Sequence, residues 1–265
     1  MRREVNAKLI KTAHQSSSSK QLAETAYRNG LSKQLVIIGL HRFPYPLFSC
    51  SLFSTLFHGG FYMASQTYRQ ALGVKILNSS HPRIRKLKRE GHDAAIHGNK
   101  FWNSSFLIMQ QLKKHPPKNG VKVLEIGCGW GLLGIFCAKQ FGARVTGIDA
   151  DAAVGPYLHL HAEINEATMQ FQKKTFAQLT AKELAGFDLI VGADICFWDE
   201  LAMDIYRLIK RAKKKGRATC IVADPCRPPF NAMAEKMLEE NESAQLLRRR
   251  LSRPVRASGD LLIVP

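Results

Sequence analysis

The stretch VLEIGCGWGLLG, residues 123–134, joins an apolar strand pattern to a glycine-rich turn and the start of an apolar helix. Read from Gly129, it spells G-x-G-x-x-G, a spacing typical of dinucleotide-binding turns. Read from Glu125, it spells E-x-G-x-G-x-G, which places a carboxylate at the end of the strand. The two registers predict different ligands, so the choice between them decides how the rest of the chain is interpreted.

The position of the strand end favours the second register. In a dinucleotide-binding turn the first glycine follows the strand directly, and the third allows the helix to pack close to the sheet. Here the strand pattern ends at Ile126 and the first glycine is Gly127, so the third position falls on Leu132. The dinucleotide register also leaves Glu125 unexplained. We therefore expect E-x-G-x-G-x-G to be the functional register.

This run resembles the first motif of class I S-adenosylmethionine-dependent methyltransferases. The resemblance implies S-adenosylmethionine as the cofactor, with the backbone at Gly127, Gly129 and Gly131 close to its methionine part. The start of the following helix would face the cofactor carboxylate, as helix N-termini do for anions. Glu125 would position the ammonium group through nearby amides or water. Asp149 closes the next predicted strand, where an acidic residue can accept both ribose hydroxyls.

Three further segments resemble the seven-strand protein-lysine methyltransferases, including the enzyme that acts on the electron-transfer flavoprotein β-subunit. FWNSS (101–105) precedes the glycine motif, GADICFWDE (192–200) ends the predicted fourth strand, and ADPCRPPF (223–230) follows the fifth. The resemblance implies that Asp194 lies beside the cofactor at the methyl-transfer site and is the catalytic residue, and that Trp102 borders the cofactor pocket. As alternatives, Asp194 caps a helix, a role for which Asp199 is better placed, and Trp102 anchors the core.

Two other features of these segments leave their roles open. Many relatives carry an acidic residue for the adenine amine after the third strand, where this chain has TFAQLT (175–180). We expect the backbone near Phe176 and Ala177 to contact adenine instead. Asp224 and Arg227 either take part in the site or pair with each other.

Strand and helix patterns alternate regularly after residue 118, which predicts a doubly wound, mostly parallel seven-stranded α/β sheet. The last two strand patterns, AQLLRRRLSR (244–253) and GDLLIVP (259–265), have no helix between them and predict an antiparallel hairpin. Ahead of the sheet, HPRIRKLKRE (81–90) and KFWNSSFLIMQQLKKHPP (100–117) predict helices, the second capped near Asn103 or Ser104. We therefore expect an N-terminal helical segment over 63–118 and a cofactor-binding domain over 119–265.

Residues 1–62 differ in composition from the rest of the chain, with 8 Lys/Arg against 2 Asp/Glu. Their apolar stretch is interrupted by His41, Arg42, Pro44 and Pro46, so it does not reach the ~20 residues needed to cross a bilayer. We expect a disordered or non-native extension, translated upstream of a true start at Met63, and a cytoplasmic protein. The alternative is a mitochondrial presequence and a location in the matrix.

The formal net charge of +18 suits an anionic partner. Beyond residue 62 the chain still carries 31 Lys/Arg against 19 Asp/Glu. The six cysteines form no C-x-x-C pair, so we expect reduced thiols and no metal site.

The predicted function is N-methylation of a protein lysine side chain, on a substrate with an acidic surface and without a membrane partner. A nucleic-acid substrate is not favoured, because the chain has Asp194-Ile-Cys-Phe after the fourth strand rather than the motif of adenine-N6 enzymes. RNA cytosine-C5 enzymes need two separated motifs, T-C and P-C, whereas Thr219–Cys220 and Pro225–Cys226 fall within a single strand-loop unit here and cannot fill both roles. A small-amine, nicotinamide-like N-methyltransferase and an RNA methyltransferase remain the alternatives.

Overall fold

The computed structural model describes residues 68–94, 98 and 100–265. The chain divides between Phe61 and Tyr62 into two units, and the described residues belong to the second. The expectations for residues 1–62 therefore lie outside the described residues.

From residue 119 onward the strands of the described chain follow the order that the sequence predicts. The strands are β1 (Tyr68–Ala71), β2 (Val74–Leu77), β3 (Lys122–Ile126), β4 (Arg144–Asp149), β5 (Met169–Lys173), β6 (Leu189–Ala193), β7 (Thr219–Asp224), β8 (Gln245–Leu251) and β9 (Ala257–Val264). The helices are α1 (Pro82–Arg89), α2 (Ser104–Lys114), α3 (Leu132–Phe141), α4 (Gly155–Ile164), α5 (Ala181–Leu184), α6 (Asp199–Lys215) and α7 (Pro228–Glu240). Two short 3-10 turns, Ala152–Val154 and Phe176–Gln178, follow β4 and β5.

Seven of these strands form one sheet in the order β5-β4-β3-β6-β7-β9-β8. Strands β3 to β7 are parallel, and β9 is antiparallel to both β7 and β8. This confirms the predicted α/β sheet with its C-terminal hairpin. The strand order reverses at β3, between β4 and β6, and ligands of open α/β sheets bind at such a switch point, beyond the carboxyl ends of the strands.

Two apolar layers cover the sheet. On one face, α2, α3 and α4 pack with the β1–β2 hairpin, and α5, α6 and α7 pack on the other. Helix α6 illustrates the pattern, since its buried residues recur at helical spacing: Ala202, Ile205, Leu208, Ile209 and Ala212. Its first turn carries Asp199 and Glu200, whose negative charges interact favourably with the positive end of the helix dipole. This end of the helix lies at the carboxyl edge of the sheet.

The segment over 63–118 is not purely helical, which corrects the expectation. It contains α1 and α2 as predicted, but also the β1–β2 hairpin, whose turn at Leu72 and Gly73 has φ values of 50° and 84°. The side chain of Asn165 bonds both the N–H and the C=O of Lys75, and a buried His161 accepts the N–H of Leu77. These hydrogen-bond partners lie in α4 and at its C-terminal cap, 84 to 90 residues further along the chain. The two short strands are therefore stabilised by distant residues, and the local sequence predicts them only weakly.

Among the described residues, no helix is both long enough and apolar enough to cross a membrane.

Candidate active site

The glycine turn between β3 and α3 adopts a backbone that side chains resist. Gly127, Gly129 and Gly131 have φ values of 60°, 49° and 71°, in the left-handed region. A Cβ on Gly127 would lie 2.5 Å from Cγ2 of Ile195, whereas a Cβ on Gly129 would meet no protein atom within 4 Å. All three glycines of the E-x-G-x-G-x-G register are therefore required by the turn, and at Gly129 the backbone itself borders open space.

Glu125 joins the end of β3 to the first turn of α3. Its Oε2 accepts the N–H of Gly134 at 2.9 Å, and a Cβ on Gly134 would lie only 2.7 Å from that oxygen. Burial raises the pKa of the Glu125 carboxyl to about 8, although the N–H groups of Gly134 and Leu133 oppose the shift. Gly134 is therefore small because Glu125 packs against it, which accounts for the incidental G-x-G-x-x-G spacing.

Asp149 at the end of β4 holds the glycine turn in place. Its Oδ2 accepts the N–H of Gly129 at 3.1 Å, and its Oδ1 accepts the N–H of Asp151 at 3.0 Å. Burial raises the pKa of Asp149, and these same N–H groups act against the shift. Since each carboxylate oxygen can accept more than one hydrogen bond, Asp149 keeps acceptor capacity for a diol.

Asp194 follows β6 and is 4% exposed, with a left-handed φ of 57°. Its Oδ2 accepts the N–H of Ser104 at 2.8 Å, and its Oδ1 accepts from the guanidinium of Arg227 at 3.3 Å. Asp194 is therefore bonded to the start of α2. The alternative role, a cap on the next helix filled by Asp194 or by the better-placed Asp199, is wrong, because Trp198 occupies the cap position of α6 and Asp199 is its first residue.

Arg227 links three parts of the site. Its guanidinium bonds Oδ2 of Asp224 at 2.6 Å as well as Asp194, and its N–H bonds Oδ1 of Asp224 at 2.8 Å. The same guanidinium lies 4.4 Å from the ring centroid of Phe197 and 5.7 Å from that of Trp102. Asp224 and Arg227 do pair, as one alternative proposed, but the pair also fixes Asp194 and an aromatic wall.

Several of these residues line a pocket with about 920 Å³ of empty space, including the part open to solvent. Five of its lining residues were predicted as cofactor-binding, three of them by the glycine motif and the end of the next strand and two by the protein-lysine resemblance: Gly127, Gly129, Asp149, Asp194 and Trp102. The backbone region predicted for adenine, at Phe176, also lines it. Asp149 ends β4 and Asp194 follows β6, and these two strands lie on either side of β3, two strand spacings or about 10 Å apart.

Two predicted residues lie outside this pocket. Glu125 borders a smaller neighbouring cavity of about 380 Å³ together with Gly127 and Gly129. Gly131 lines neither cavity and serves as the N-cap of α3, where a Cβ would lie 2.8 Å from Leu158. In the structure its left-handed backbone lets the helix begin, and its contact with the cofactor stays a prediction.

Several residues that line the pocket were not predicted from the sequence. Two of them, Lys100 and Trp198, add a positive charge and an exposed aromatic ring to it. Lys100 borders both cavities, and its Nζ lies 4.1 Å from the ring centroid of Trp102. Trp198 lines the pocket and is 43% exposed, so an aromatic surface extends to its mouth. The sequence shows a lysine two residues before Trp102 and a tryptophan directly after Phe197. The neighbouring residues do not indicate, however, that either side chain points into the pocket.

The described residues contain no group of His, Cys, Asp and Glu side chains suited to a metal ion. The cysteines among them are all free thiols: Cys128, Cys137, Cys196, Cys220 and Cys226.

The sheet order, the glycine turn after β3 and the acidic residues after β4 and β6 together define the Rossmann-like methyltransferase fold. Residues 123–216 match a family model described as a methyltransferase domain. A ubiquinone biosynthesis O-methyltransferase of Xylella fastidiosa is 33% identical over 82 residues, which are 31% of this chain and 33% of that protein. A calmodulin-lysine N-methyltransferase of Arabidopsis thaliana is 28% identical over 126 residues, covering 44% of this chain and 41% of that protein.

Among solved structures, a ribosomal protein L11 methylase from Lactobacillus delbrueckii matches this chain with a TM-score of 0.46 and 22% identity, over 62% of this chain and 80% of that chain. A T. thermophilus 16S rRNA N2 G1207 methyltransferase in complex with AdoMet and guanosine has a TM-score of 0.49 and 22% identity, over 63% and 44% of the chains. The chain spans about a third of the length of the first curated relatives that it matches. The matches support an S-adenosylmethionine-dependent methyltransferase domain, with S-adenosylmethionine as its cofactor.

Proposed function

We propose that this protein is an enzyme that transfers a methyl group from S-adenosylmethionine to the side-chain nitrogen of a lysine in a protein substrate. The observation that carries the proposal is the acceptor side of the pocket. There a buried carboxylate, Asp194, lies beside an aromatic wall of Trp102, Phe197 and Trp198. A long apolar stem ending in an amine fits such a surface, because the stem packs on the rings and the nitrogen reaches the carboxylate.

The opposite side of the pocket suits the cofactor. Gly129 offers backbone without a side chain, Asp149 has acceptor capacity for the ribose diol, and Phe176 supplies an apolar surface for the adenine. Lys100 borders the cavity next to the glycine turn and carries the charge that the methionine carboxylate needs. When bound, S-adenosylmethionine supplies a methyl group on a positively charged sulfur.

The chain's own residues would hold and orient the acceptor. Asp194 accepts one hydrogen bond on each oxygen and retains lone pairs for an amine. Arg227 fixes the carboxylate from behind and supports the ring of Phe197, so the acceptor meets a rigid surface. Asp194, Arg227 and Asp224 together carry one net negative charge in their ionised forms, which attracts a lysine as the ammonium.

A lysine must lose a proton before it can accept a methyl group, and its ordinary pKa is about 10.4. The apolar wall favours the neutral amine, because burial disfavours the charged form. Such positioning and desolvation by the chain are the main contributions expected of this site, since alignment alone can be worth ~7–11 kcal/mol.

The relatives differ in the acceptors that their names give. Those named for ubiquinone biosynthesis are O-methyltransferases, whereas the Arabidopsis relative is named for a lysine of calmodulin. The match to the lysine enzyme extends over 126 residues, compared with 82 for the Xylella protein. Together with the carboxylate at the acceptor side, this longer match favours a nitrogen acceptor over an oxygen acceptor.

Methyl transfer from labelled S-adenosylmethionine tests the proposal directly. Purified protein is incubated with lysine-containing peptides, a catechol, nicotinamide and single-stranded RNA, and the labelled product is identified by mass spectrometry. We expect label on lysine Nζ, and its loss in Asp194→Asn. Label on the catechol oxygen, the nicotinamide or the RNA, with none on lysine, would refute the lysine assignment.

A further inference from the structure

The end of the C-terminal hairpin is unusually basic. Residues 246–259 contain five arginines, no acidic residue and no aromatic residue. Arg249 is half-buried and bonds the side chain of Gln111. The other four are exposed, and we call them the arginine wing: Arg248, Arg250, Arg253 and Arg256.

The sheet register places this wing at the same edge as the active site. Strand β9 is antiparallel to β7 and pairs Asp260 with Asp224, the last residue of β7. Strand β8 pairs Leu251 with Ala257, so the connection over 252–256 lies beyond the carboxyl end of β7. Since β8 is the outer strand of the sheet, the wing borders the acceptor side and not the side of Asp149.

Direct contacts attach the wing to the residues of the site. Asn103, next to Trp102, donates its side-chain amide to the C=O of Arg256 at 3.1 Å. The Arg248 guanidinium lies 3.8 Å from Sγ of Cys226, in the loop that leads to Arg227. A Cβ on Gly259 would lie 2.2 Å from the C=O of Asp224, so the hairpin is packed tightly against this loop. The wing is therefore held at a fixed distance from Asp194.

Most of the charge in the wing is not neutralised within the chain. Arg248 forms two hydrogen bonds to Asp260, at 2.7 and 2.9 Å, and this pairing raises its pKa. None of the salt bridges among the described residues involves Arg250, Arg253 or Arg256. Three exposed positive charges thus face solvent beside the acceptor side of the pocket.

We propose that the arginine wing is a docking surface for an acidic segment of the substrate protein, next to the lysine that is methylated. This rests on the proposed lysine methylation. From β6 to β8 there are three strand spacings, or about 14 Å, which an extended chain covers in about four residues. The substrate should therefore carry acidic residues about four positions from its target lysine. A single-stranded RNA fits less well, because the wing offers no aromatic side chain for base stacking.

Binding and methyl transfer are measured on the full-length protein with three probes. The first is a fluorescent peptide with one lysine and Glu residues at the fourth to sixth positions after it. The second replaces these Glu residues with Gln, and the third is a single-stranded RNA of the same charge as the first. The test variant is the triple substitution Arg250→Gln, Arg253→Gln, Arg256→Gln. The control is Lys113→Gln, Lys114→Gln, Lys118→Gln, which removes the same charge from exposed positions at the opposite edge of the sheet.

We expect the wing variant to bind the acidic peptide about tenfold more weakly and to raise the KM for this peptide by about the same factor, with kcat unchanged. Exposed ion pairs are individually weak, but three of them act together here. The control variant should bind and methylate the acidic peptide almost as wild type does. The Gln peptide should bind wild type and the wing variant with nearly equal affinity. Equal effects in both variants, or tighter wing-dependent binding of the RNA, would overturn the docking proposal. Wing-dependent binding of the peptide without methyl transfer to its lysine would leave the docking intact and refute the lysine methylation instead.

Discussion

The carboxylate of Asp194 accepts the backbone N–H of Ser104 at 2.8 Å, between residues that are 90 positions apart in the chain. One oxygen of this aspartate thereby fixes the start of α2, while the other is held by Arg227. Because Trp102 lies only two residues before Ser104, the contact also helps to set the position of the aromatic wall. A substitution that removes both oxygens of Asp194 therefore changes the acceptor site and the local structure together, and the two effects need separate variants.

Asp194→Asn should separate them. The amide keeps one oxygen, which can still accept the N–H of Ser104, so we expect the melting temperature and the affinity for S-adenosylhomocysteine to stay close to wild type. The charge that attracts and orients the amine is lost, so kcat should fall by about 10² or more. Asp194→Ala should also lose the bond to the helix start, at about 0.5–2 kcal/mol of stability. A wild-type rate in Asp194→Asn would show that the acceptor site lies elsewhere.

Asp149→Asn should have the opposite effect to Asp194→Asn, with a loss of cofactor affinity and little change in kcat. One acceptor oxygen and the negative charge are lost at the cofactor end of the pocket, while the acceptor end is unchanged. We expect the KM for S-adenosylmethionine to rise about tenfold and kcat to change little. Steady-state kinetics at saturating peptide measures both, and a change confined to kcat would contradict the assignment of Asp149 to the cofactor.

Gly129→Ala tests whether the open space beside the glycine turn is the cofactor site. Its methyl group would meet no protein atom within 4 Å, so the protein should fold at a cost of about 1–2 kcal/mol for the left-handed backbone. We expect the affinity for S-adenosylhomocysteine, measured by calorimetry, to fall at least tenfold. Gly91→Ala is the matched control, because Gly91 also has a positive φ of 85° and no atom near its Cβ, but lines neither cavity. Equal affinities in both variants would exclude Gly129 from the cofactor site.

Glu125 should make the stability of the cofactor-free protein depend on pH. Burial raises its pKa from 4.5 to about 8, so the folded state holds a proton that the unfolded state releases within this range. The free energy of unfolding should therefore fall as the pH rises from about 5 to 8, by the linkage between proton binding and stability. Glu125→Gln keeps an acceptor for the N–H of Gly134 and should flatten this part of the profile. Urea unfolding at several pH values measures it, and identical slopes in both proteins would contradict the prediction.

Lys100→Gln should weaken the binding of only those ligands that carry the methionine carboxylate. Lys100 borders the cavity beside Glu125 and the glycine turn, where that carboxylate is expected. We expect the affinity for S-adenosylhomocysteine to drop several-fold, while that for 5′-methylthioadenosine, which lacks the amino-acid group, stays unchanged. A parallel loss for both ligands would indicate a general disturbance of the pocket instead.

The sequence by itself determined the register of the glycine turn, the alternation of strands and helices, and the positions of Asp149 and Asp194 at strand ends. These features rest on local spacing: periodic burial defines the elements, and the strand end fixes which glycines need a left-handed backbone. The tertiary structure alone decided that Arg227 bridges Asp194 and Asp224, that Asp194 rather than Asp199 bonds a helix start, and that a hairpin at Tyr68–Leu77 packs on α4. It also brought the arginine wing to the acceptor side of the pocket. These contacts join segments far apart in the chain, and they follow from which strands pair and in which direction. Local periodicity carries no information about that pairing.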